Sequence, residues 1–352
     1  MDKKENPAER DDLIIDDDVT TEEPPEWKPI QGPQTRTFDK PPLVSIVILN
    51  YNGQMFVRRC LETVLKDSYP NKEVIFVDNA STDNSLRMSR IYANYIQVVR
   101  NPRNYGFAKG CNEGIKRSQG SIIVLLNVDT CVRPGWLEEL VYAMVQDPAV
   151  GVAGSKLLFL NGKTIQHAGG MIAANCLSQH IGYGEEDRRQ YEVAREVAYV
   201  TGASLAVRRE LLNAIGLLDE GFTLYYDDLD LALSARRNGY KVVYVPSSVV
   251  LHFETYGTEK NSGRYYFRYH RGRIRFLLKN YGVRYILRTF IPAEVEWYRM
   301  TNLTKQIIPL LGAYLVNLPK APFFLIRGFI VRRTTRPLLS AERRAHPQRT
   351  VG

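Results

Sequence analysis

At 352 residues, with 44% apolar and 24% charged side chains, the chain is long enough to bury a sizeable core and reads as one large globular domain with appendages. Its charge is unevenly spread: residues 1–40 hold 12 acidic and 6 basic side chains, residues 264–352 hold 18 basic and 3 acidic, and the stretch between sums to zero, so the net +9 describes a basic C-terminal quarter. Four scattered cysteines (Cys60, Cys111, Cys131, Cys176) without a CxxC pair argue against a zinc site and a disulfide framework, and fit a reducing cytoplasm.

The first residues, MDKKENPAERDDLIIDDD, lack the apolar centre of a signal peptide, so export is not expected. Their acids and prolines predict a disordered arm over 1–42. From Leu43 the pattern alternates between short β-rich runs and amphipathic stretches. VSIVILN (44–50) reads as a strand, and the spacing of Phe56, Val57, Cys60, Leu61, Val64 and Leu65 predicts a helix after it. KEVIFVDN (72–79) is a second strand and NSLRMSRIYANY (84–95) a second helix. IQVVRN (96–101) is a third strand, FAKGCNEGIKRS (107–118) a third helix and SIIVLLNVD (121–129) a fourth strand. The order predicts a mostly parallel sheet flanked by helices, an α/β fold. WLEELVYAMVQD (136–147) follows as a helix and VGVAGSKLLFL (150–160) as a strand, whereas the Gly-rich stretch to about residue 198 carries no clear period.

In such sheets ligands sit outside the carboxyl ends of the strands, and three of those ends are polar: Asn50-Tyr51-Asn52, Asp78-Asn79, and Asn127 with Asp129. No GxGxxG follows the first strand, which disfavours a dinucleotide fold. Asn127 and Asp129, one residue apart at a strand end, point to one side and suit a divalent cation that bridges two phosphates, although the same residues also make turns. In YYDDLDLALSARRNG, Asp227, Asp228 and Asp230 crowd the first turn of a helix. The helix dipole favours them as caps, and mutual repulsion raises their pKa values as a general base requires. His252 ends an apolar run, where a lone histidine is more often structural than a ligand. Arg264, Arg268, Arg271 and Arg275 form a helical stripe, either a solvated face or a clamp for diphosphate or acceptor groups.

The series VSIVILNYNG, VIFVDNASTDNS, NYGFAKGCNEGI, VLLNVDT, VTGASLAVRRELLNAIGLLDEGF, YYDDLDLALSARRNGY and LHFETYG resembles, in order and spacing, the family 2 glycosyltransferases of the GT-A fold, especially bacterial rhamnosyltransferase-like members. The resemblance spans 43–276 and implies a catalytic domain there. It implies that NVD stands for the family's DxD-type motif, with Asp129 on Mg2+ or Mn2+ and Asn127 beside the donor sugar or ribose. It implies that Asp78 recognises base or ribose, that Asn50 and Asn52 line the same pocket, and that Asn104 and Asn112 shape its floor. It makes Asp228 the expected base, with Asp227 where the family usually has glutamate, and His252 a metal-side ligand. The implied reaction is inverting transfer from a nucleoside-diphosphate sugar to a glycan or polyprenyl-diphosphate-linked acceptor in cell-envelope polysaccharide synthesis. A nucleotidyltransferase is disfavoured because no Gly-rich, Lys- or Arg-bearing phosphate loop follows the first strand.

Residues 277–352 read as a basic, helical, membrane-interface region. IIPLLGAYLVNLPKAPFFLIRGFIV (307–331) is long enough to span a bilayer, but Asn317, Lys320, Arg327 and internal prolines oppose a clean span, a central lysine alone costing about 2.5–3.5 kcal/mol. Framed by Arg284, Arg288, Arg332, Arg333 and Arg336, these segments suit helices lying in the interface on anionic lipid. Packing against the body or a second subunit is the alternative. The apolar interruptions also speak against a nucleic-acid partner. The expectation is a cytoplasmic enzyme held peripherally at the inner face of the cell membrane.

Overall fold

The structure, a computed structural model, describes Arg36, residues 38–253 and residues 261–324. Its first half alternates β1 (Val44–Asn50), α1 (Gln54–Lys66), β2 (Lys72–Asp78), α2 (Ser85–Ser89), β3 (Gln97–Arg100), α3 (Phe107–Ile115) and β4 (Ile122–Asn127). Strands β1 to β4 are parallel neighbours, and their register sets Asn50 opposite Asp78 and Leu49 opposite Asn127, so the polar ends lie along one edge. Each central strand is apolar on both faces because helices cover both. Ile46 and Ile48 join α1 and the later Trp136 in one core, while Val47 joins Ala108, Cys111 and Ile115 of α3 in the other.

The chain continues through β5 (Thr130–Val132), α4 (Trp136–Gln146), β6 (Val150–Leu158), β7 (Ile165–His167), β8 (Gly170–Ile172), β9 (Ser178–His180), β10 (Arg195–Glu196), β11 (Ser204–Arg208), α5 (Arg209–Ile215), α6 (Asp227–Arg237), β12 (Lys241–His252) and α7 (Gly263–Asn280). The sheet order is β10-β12-β6-β11-β4-β1-β2-β3, with β11 antiparallel to both β4 and β6. The parallel half expected from sequence is present, and a single reversed strand joins it to a second parallel pair, β6 and β12. The stretch without a period, 161–198, supplies the short strands β7 to β10.

Three expectations shift. The helix expected over 84–95 shrinks to α2 and a 3-10 turn at Arg90–Tyr92, since Ser85 and Ser89 face inward and the Ser89 hydroxyl bonds back to the Leu86 carbonyl, 2.9 Å away. The arm expected over 1–42 is tied down within its described part: Arg36 makes two hydrogen bonds to Glu139, at 2.9 and 3.0 Å, and Phe38 packs edge-on against Tyr69. The boundary expected at 276 falls inside α7. Beyond it, α8 (Val283–Tyr285) runs through a π turn (Ile286–Phe290) into α9 (Ile291–Met300), and α10 (Ile307–Asn317) lies on α7, burying Leu310 and Ala313. Fully buried Arg273 of α7 clamps Glu294 of α9 at 2.6 and 2.7 Å, and the Tyr314 hydroxyl of α10 donates to Glu294 at 2.9 Å. These helices are therefore built onto the body. The parts of the expected regions at 1–35 and 325–352, with Arg327, Arg332, Arg333 and Arg336, lie outside the described residues.

Candidate active site

Two strand ends meet where β5 pairs antiparallel with β12, setting His252 opposite Thr130 and the Phe253 amide 2.9 Å from the Asp129 carbonyl. Asp129 occupies the turn between β4 and β5, so strand pairing alone brings carboxylate and imidazole together: His252 Nε2 is 3.5 Å from Asp129 Oδ1 and 3.4 Å from Asn127 Nδ2. On the far side of the ring, Nδ1–H donates to Gln166 Oε1 of β7 at 2.6 Å. That bond assigns the proton to Nδ1 and turns the Nε2 lone pair toward Asn127 and Asp129, the orientation a metal-ligating histidine requires. One carboxylate oxygen and one imidazole nitrogen suit a divalent cation whose remaining ligands come from phosphate and water. No group of three His, Cys, Asp or Glu residues suited to a metal occurs among the described residues. Asp129 and His252 fit a divalent cation shared with a diphosphate.

Asp227 and Asp228 line the same cavity, of about 240 Å3, as Asn127, Asp129 and His252. They open α6, and the two residues before them, Tyr225 and Tyr226, are both left-handed at φ 67° and 70°. Such a conformation is costly for a bulky residue and persists only where the surroundings hold it. Here Tyr226 is buried and its hydroxyl donates to the Cys176 carbonyl at 2.7 Å. On α7, a Cβ at Gly272 would lie 3.0 Å from the Tyr225 carbonyl oxygen, so glycine lets the helix approach the turn.

The acids divide by role. Asp230 is structural: it is paired with Lys279 at 2.6 Å and accepts from Asn280 Nδ2 at 2.8 Å, fastening α6 to α7. Burial pushes the Asp227 carboxyl well up, and the neighbouring Asp228 charge pushes it further. Burial raises Asp228 too, but the backbone N–H groups of Gly202 and Leu229 donate to its oxygens at 3.0 and 2.9 Å and favour its ionised form. Of the pair, Asp227 is pushed further toward its protonated form, and Asp228 is the one whose ionised form the backbone N–H groups favour.

The other expected site residues form a separate group, outside the cavity lining. Asn50 Nδ2 donates to Asp78 Oδ1 and to the hydroxyls of Ser81 and Ser85, at 2.9–3.0 Å. Asp78, buried, also accepts from the Ser81 amide at 3.2 Å. Asn52, left-handed at φ 52°, accepts from the Thr82 amide at 2.7 Å. Asn104 accepts from Asn79 Nδ2 at 2.9 Å and from the Gly106 amide at 2.8 Å. These four brace loops at the sheet edge. Asn112, expected in the pocket floor, is buried in α3 with its amide bonded to both backbone groups of Leu218 and to Glu220, so it pins a turn instead. Of the arginine stripe, Arg268 and Arg271 line a small groove beside Gly221–Leu224, Arg264 is exposed, and Arg275 is bonded to Asp219 at 2.8 Å. Sequence reasoning missed Gln166, Ser178, His180 and Gly202 of the lining. Only VTGAS, whose glycine precedes β11, carried a visible signal for one of them.

Residues 45–216 match the family described as Glycosyl transferase family 2. An uncharacterized protein of Sinorhizobium fredii, y4gI, is 33% identical over 226 residues, 61% of this chain but 25% of that protein, so the chain spans about a quarter of that relative's length. The N-acetylglucosaminyl-diphospho-decaprenol L-rhamnosyltransferase of Mycobacterium tuberculosis is 23% identical over 258 residues, 67% of this chain and 84% of that one. Among solved structures, GalNAc-T7 with UDP, GalNAc and Mn2+ superposes at a TM-score of 0.60 with 16% identity, over 86% of this chain and 59% of that one, which is a likeness of fold. The family match contains Asn127 and Asp129 and ends before Asp228 and His252. With its sheet order, its NVD strand end and the family match, residues 45–216 form a family 2 glycosyltransferase domain, in a GT-A-like fold.

Proposed function

We propose that the protein transfers a sugar from a nucleoside-diphosphate donor to an acceptor hydroxyl with inversion, and that Asp228 is the base. The observation that carries this reading is the shared cavity, which Asp129, Asn127 and His252 line together with Asp228. The acceptor O–H gives its proton to an Asp228 oxygen as the acceptor oxygen forms a bond to the anomeric carbon. On the opposite face the bond from that carbon to the diphosphate oxygen breaks, and the diphosphate leaves with the electron pair. One displacement inverts the centre, and no covalent intermediate is needed. Asp129 and His252 would hold Mg2+ or Mn2+, which when bound neutralises charge on the departing diphosphate. The nucleotide lies along the same sheet edge, over loops that Asn50, Asn52, Asp78 and Asn104 brace, and Arg268 and Arg271 are candidates for acceptor phosphate. Thermal stabilisation and hydrolysis with UDP-, GDP- and dTDP-sugars, each with and without Mn2+, tests the reading. At least one donor should raise Tm in a metal-dependent way, and failure of all of them would reject it.

The acceptor we infer is a glycan carried on a polyprenyl diphosphate, reached at the inner face of the cell membrane; the mycobacterial relative, named as acting on N-acetylglucosaminyl-diphospho-decaprenol, supports that class. Support also comes from the helices after α7. Ile307–Phe324 is apolar and long enough to cross a membrane by length and composition, yet α10 packs its Leu310 and Ala313 on α7, and Asn317 donates to the Arg271 carbonyl at 3.2 Å. Its other flank exposes Ile308, Leu311, Leu315 and Leu318, and Leu287, Ile291 and Val295 expose a second stripe. Exposed Arg284, Arg288, Arg299, Lys305 and Lys320 flank both, a combination that suits an anionic lipid interface. The protein should sediment with phosphatidylglycerol vesicles at low salt and be released by high salt with mild detergent. Retention in the supernatant would replace lipid by a second subunit.

A further inference from the structure

Asp228 follows directly on a pair of tyrosines and Asp227, and the cavity it lines is rich in tyrosine. Tyr225, Tyr265 and Tyr269 all line the cavity together with Asp228. Tyr265 and Tyr269, one turn apart on α7, are stacked with rings at 15° and centroids 6.2 Å apart, and Tyr225 meets Tyr265 edge-on at 5.6 Å. The Tyr269 hydroxyl is fixed at the Ser178 amide, 3.1 Å away, and its ring sits 5.3 Å from buried Tyr226. Tyr225 reaches this cluster from a left-handed backbone at φ 67° that a glycine would adopt without strain. Strain kept at a residue whose ring lines a cavity points to a use for the ring.

We propose that Tyr225, Tyr265 and Tyr269 form the wall on which the acceptor pyranose stacks, with the attacking hydroxyl directed at Asp228. The inference rests on the single-displacement reading above. In such a displacement the acceptor approaches from the face opposite the diphosphate, so whatever lines the base side meets the acceptor. The chemistry of the two walls agrees. Asn127, Asp129 and His252 offer charge and lone pairs for metal and phosphate, whereas the tyrosines offer broad, rigid apolar faces with polar edges, which match the C–H face and rim hydroxyls of a sugar ring. Ser178, whose hydroxyl is 3.0 Å from that of Tyr269, and His180, whose Nδ1 is 2.9 Å from His167 Nδ1, also line the cavity.

The test uses the full-length protein, loaded with UDP and Mn2+, and methyl pyranosides of glucose, galactose, mannose, N-acetylglucosamine and rhamnose as probes. Saturation-transfer NMR should show the ring C–H protons of at least one probe in contact with protein. Tyr265→Ala should weaken that probe about tenfold, and Tyr265→Phe, which keeps the ring, should restore it. Tyr225→Gly should weaken the probe as well while holding or raising Tm, because it relaxes the left-handed turn, so lost binding there is not unfolding. Unchanged probe affinity in both Tyr265→Ala and Tyr225→Gly overturns the wall. So does the absence of any pyranoside contact in a parent protein that still gains metal-dependent stability from a donor. If no donor stabilises the parent, the transferase reading fails first and the wall falls with it.

Discussion

The two halves of the sheet's carboxyl edge use the same residue types for opposite purposes. At the ends of β1 and β2, Asn50, Asp78 and Asn79 are nearly inaccessible and spend their hydrogen bonds on Ser81, Ser85, Asn101 and Asn104. At the ends of β4 and β12 and the start of α6, Asn127, Asp129, His252 and Asp228 line a cavity. A polar strand end that spends most of its hydrogen bonds within the protein stabilises a loop, although Asn50 Oδ1 has no hydrogen-bond partner among the described residues, whereas one that faces open space is available to a ligand. Asn112 extends the first group away from the edge, as a pin between α3 and the Leu218 turn.

Perturbing each half should produce distinct losses. The largest is expected at Asp228: Asp228→Asn should lower transfer by roughly 10²–10⁴-fold with donor affinity by calorimetry unchanged. If Asp227→Asn is dead and Asp228→Asn active, the two roles exchange. The raised Asp228 carboxyl also sets a pH limit. Below its pKa the base is protonated, so kcat/KM should fall with acid, with its acid limb above the ordinary aspartate value of about 3.9. Next, Asp129→Ala should remove the metal-dependent part of donor binding while leaving Tm of the free protein nearly unchanged, and metal-dependent binding that survives would sever Asp129 from the cation.

In the braced half the signature reverses. Asn112→Ala removes the partners of buried Leu218 backbone groups and should cost about 1–3 kcal/mol in urea unfolding, with donor KM unchanged. A raised KM at unchanged stability would move Asn112 into the site. The smallest effect is expected from Asp227→Asn. Because the folded state holds that proton more tightly than the unfolded chain does, parent stability declines as pH rises from about 4 toward the raised pKa. The asparagine variant escapes this decline, so its Tm should exceed the parent's at pH 7 and converge with it near pH 4. A variant that gains nothing at pH 7 would remove Asp227 as the protonated partner.

Much of this edge was legible from sequence because it depends on local pattern. Apolar runs ending in NYN, VDN and NVD marked the strands, and parallel register aligned those ends without further information. The division between braced and open residues was not legible, because it depends on partners 25 to 35 positions away, such as Ser81 and Ser85 for Asn50. His252 was readable as a strand end, but its orientation depends on Gln166, 86 residues distant in a stretch with no period. Asp230 looked equivalent to Asp228 until Lys279 and Asn280 supplied the other half of its environment. The tyrosine turn escaped notice because sequence carries no mark of a left-handed backbone at two successive bulky residues.

The Arg273–Glu294 clamp has a consequence for modularity. Its guanidinium donates to the Asn175 carbonyl on the body side and lies against Phe290 and Trp297, which, like Glu294, come from beyond α7. A replacement segment that again covers Arg273 with apolar side chains but brings no carboxylate would leave a buried cation without its counter-charge, a loss of about 3–5 kcal/mol. The chemistry and the apolar helical face are therefore one inheritable piece. Recombination that exchanges the helices for those of another enzyme should succeed only when the donor segment brings a carboxylate at the Glu294 position, which makes that single residue the compatibility key for grafting new surfaces onto this fold.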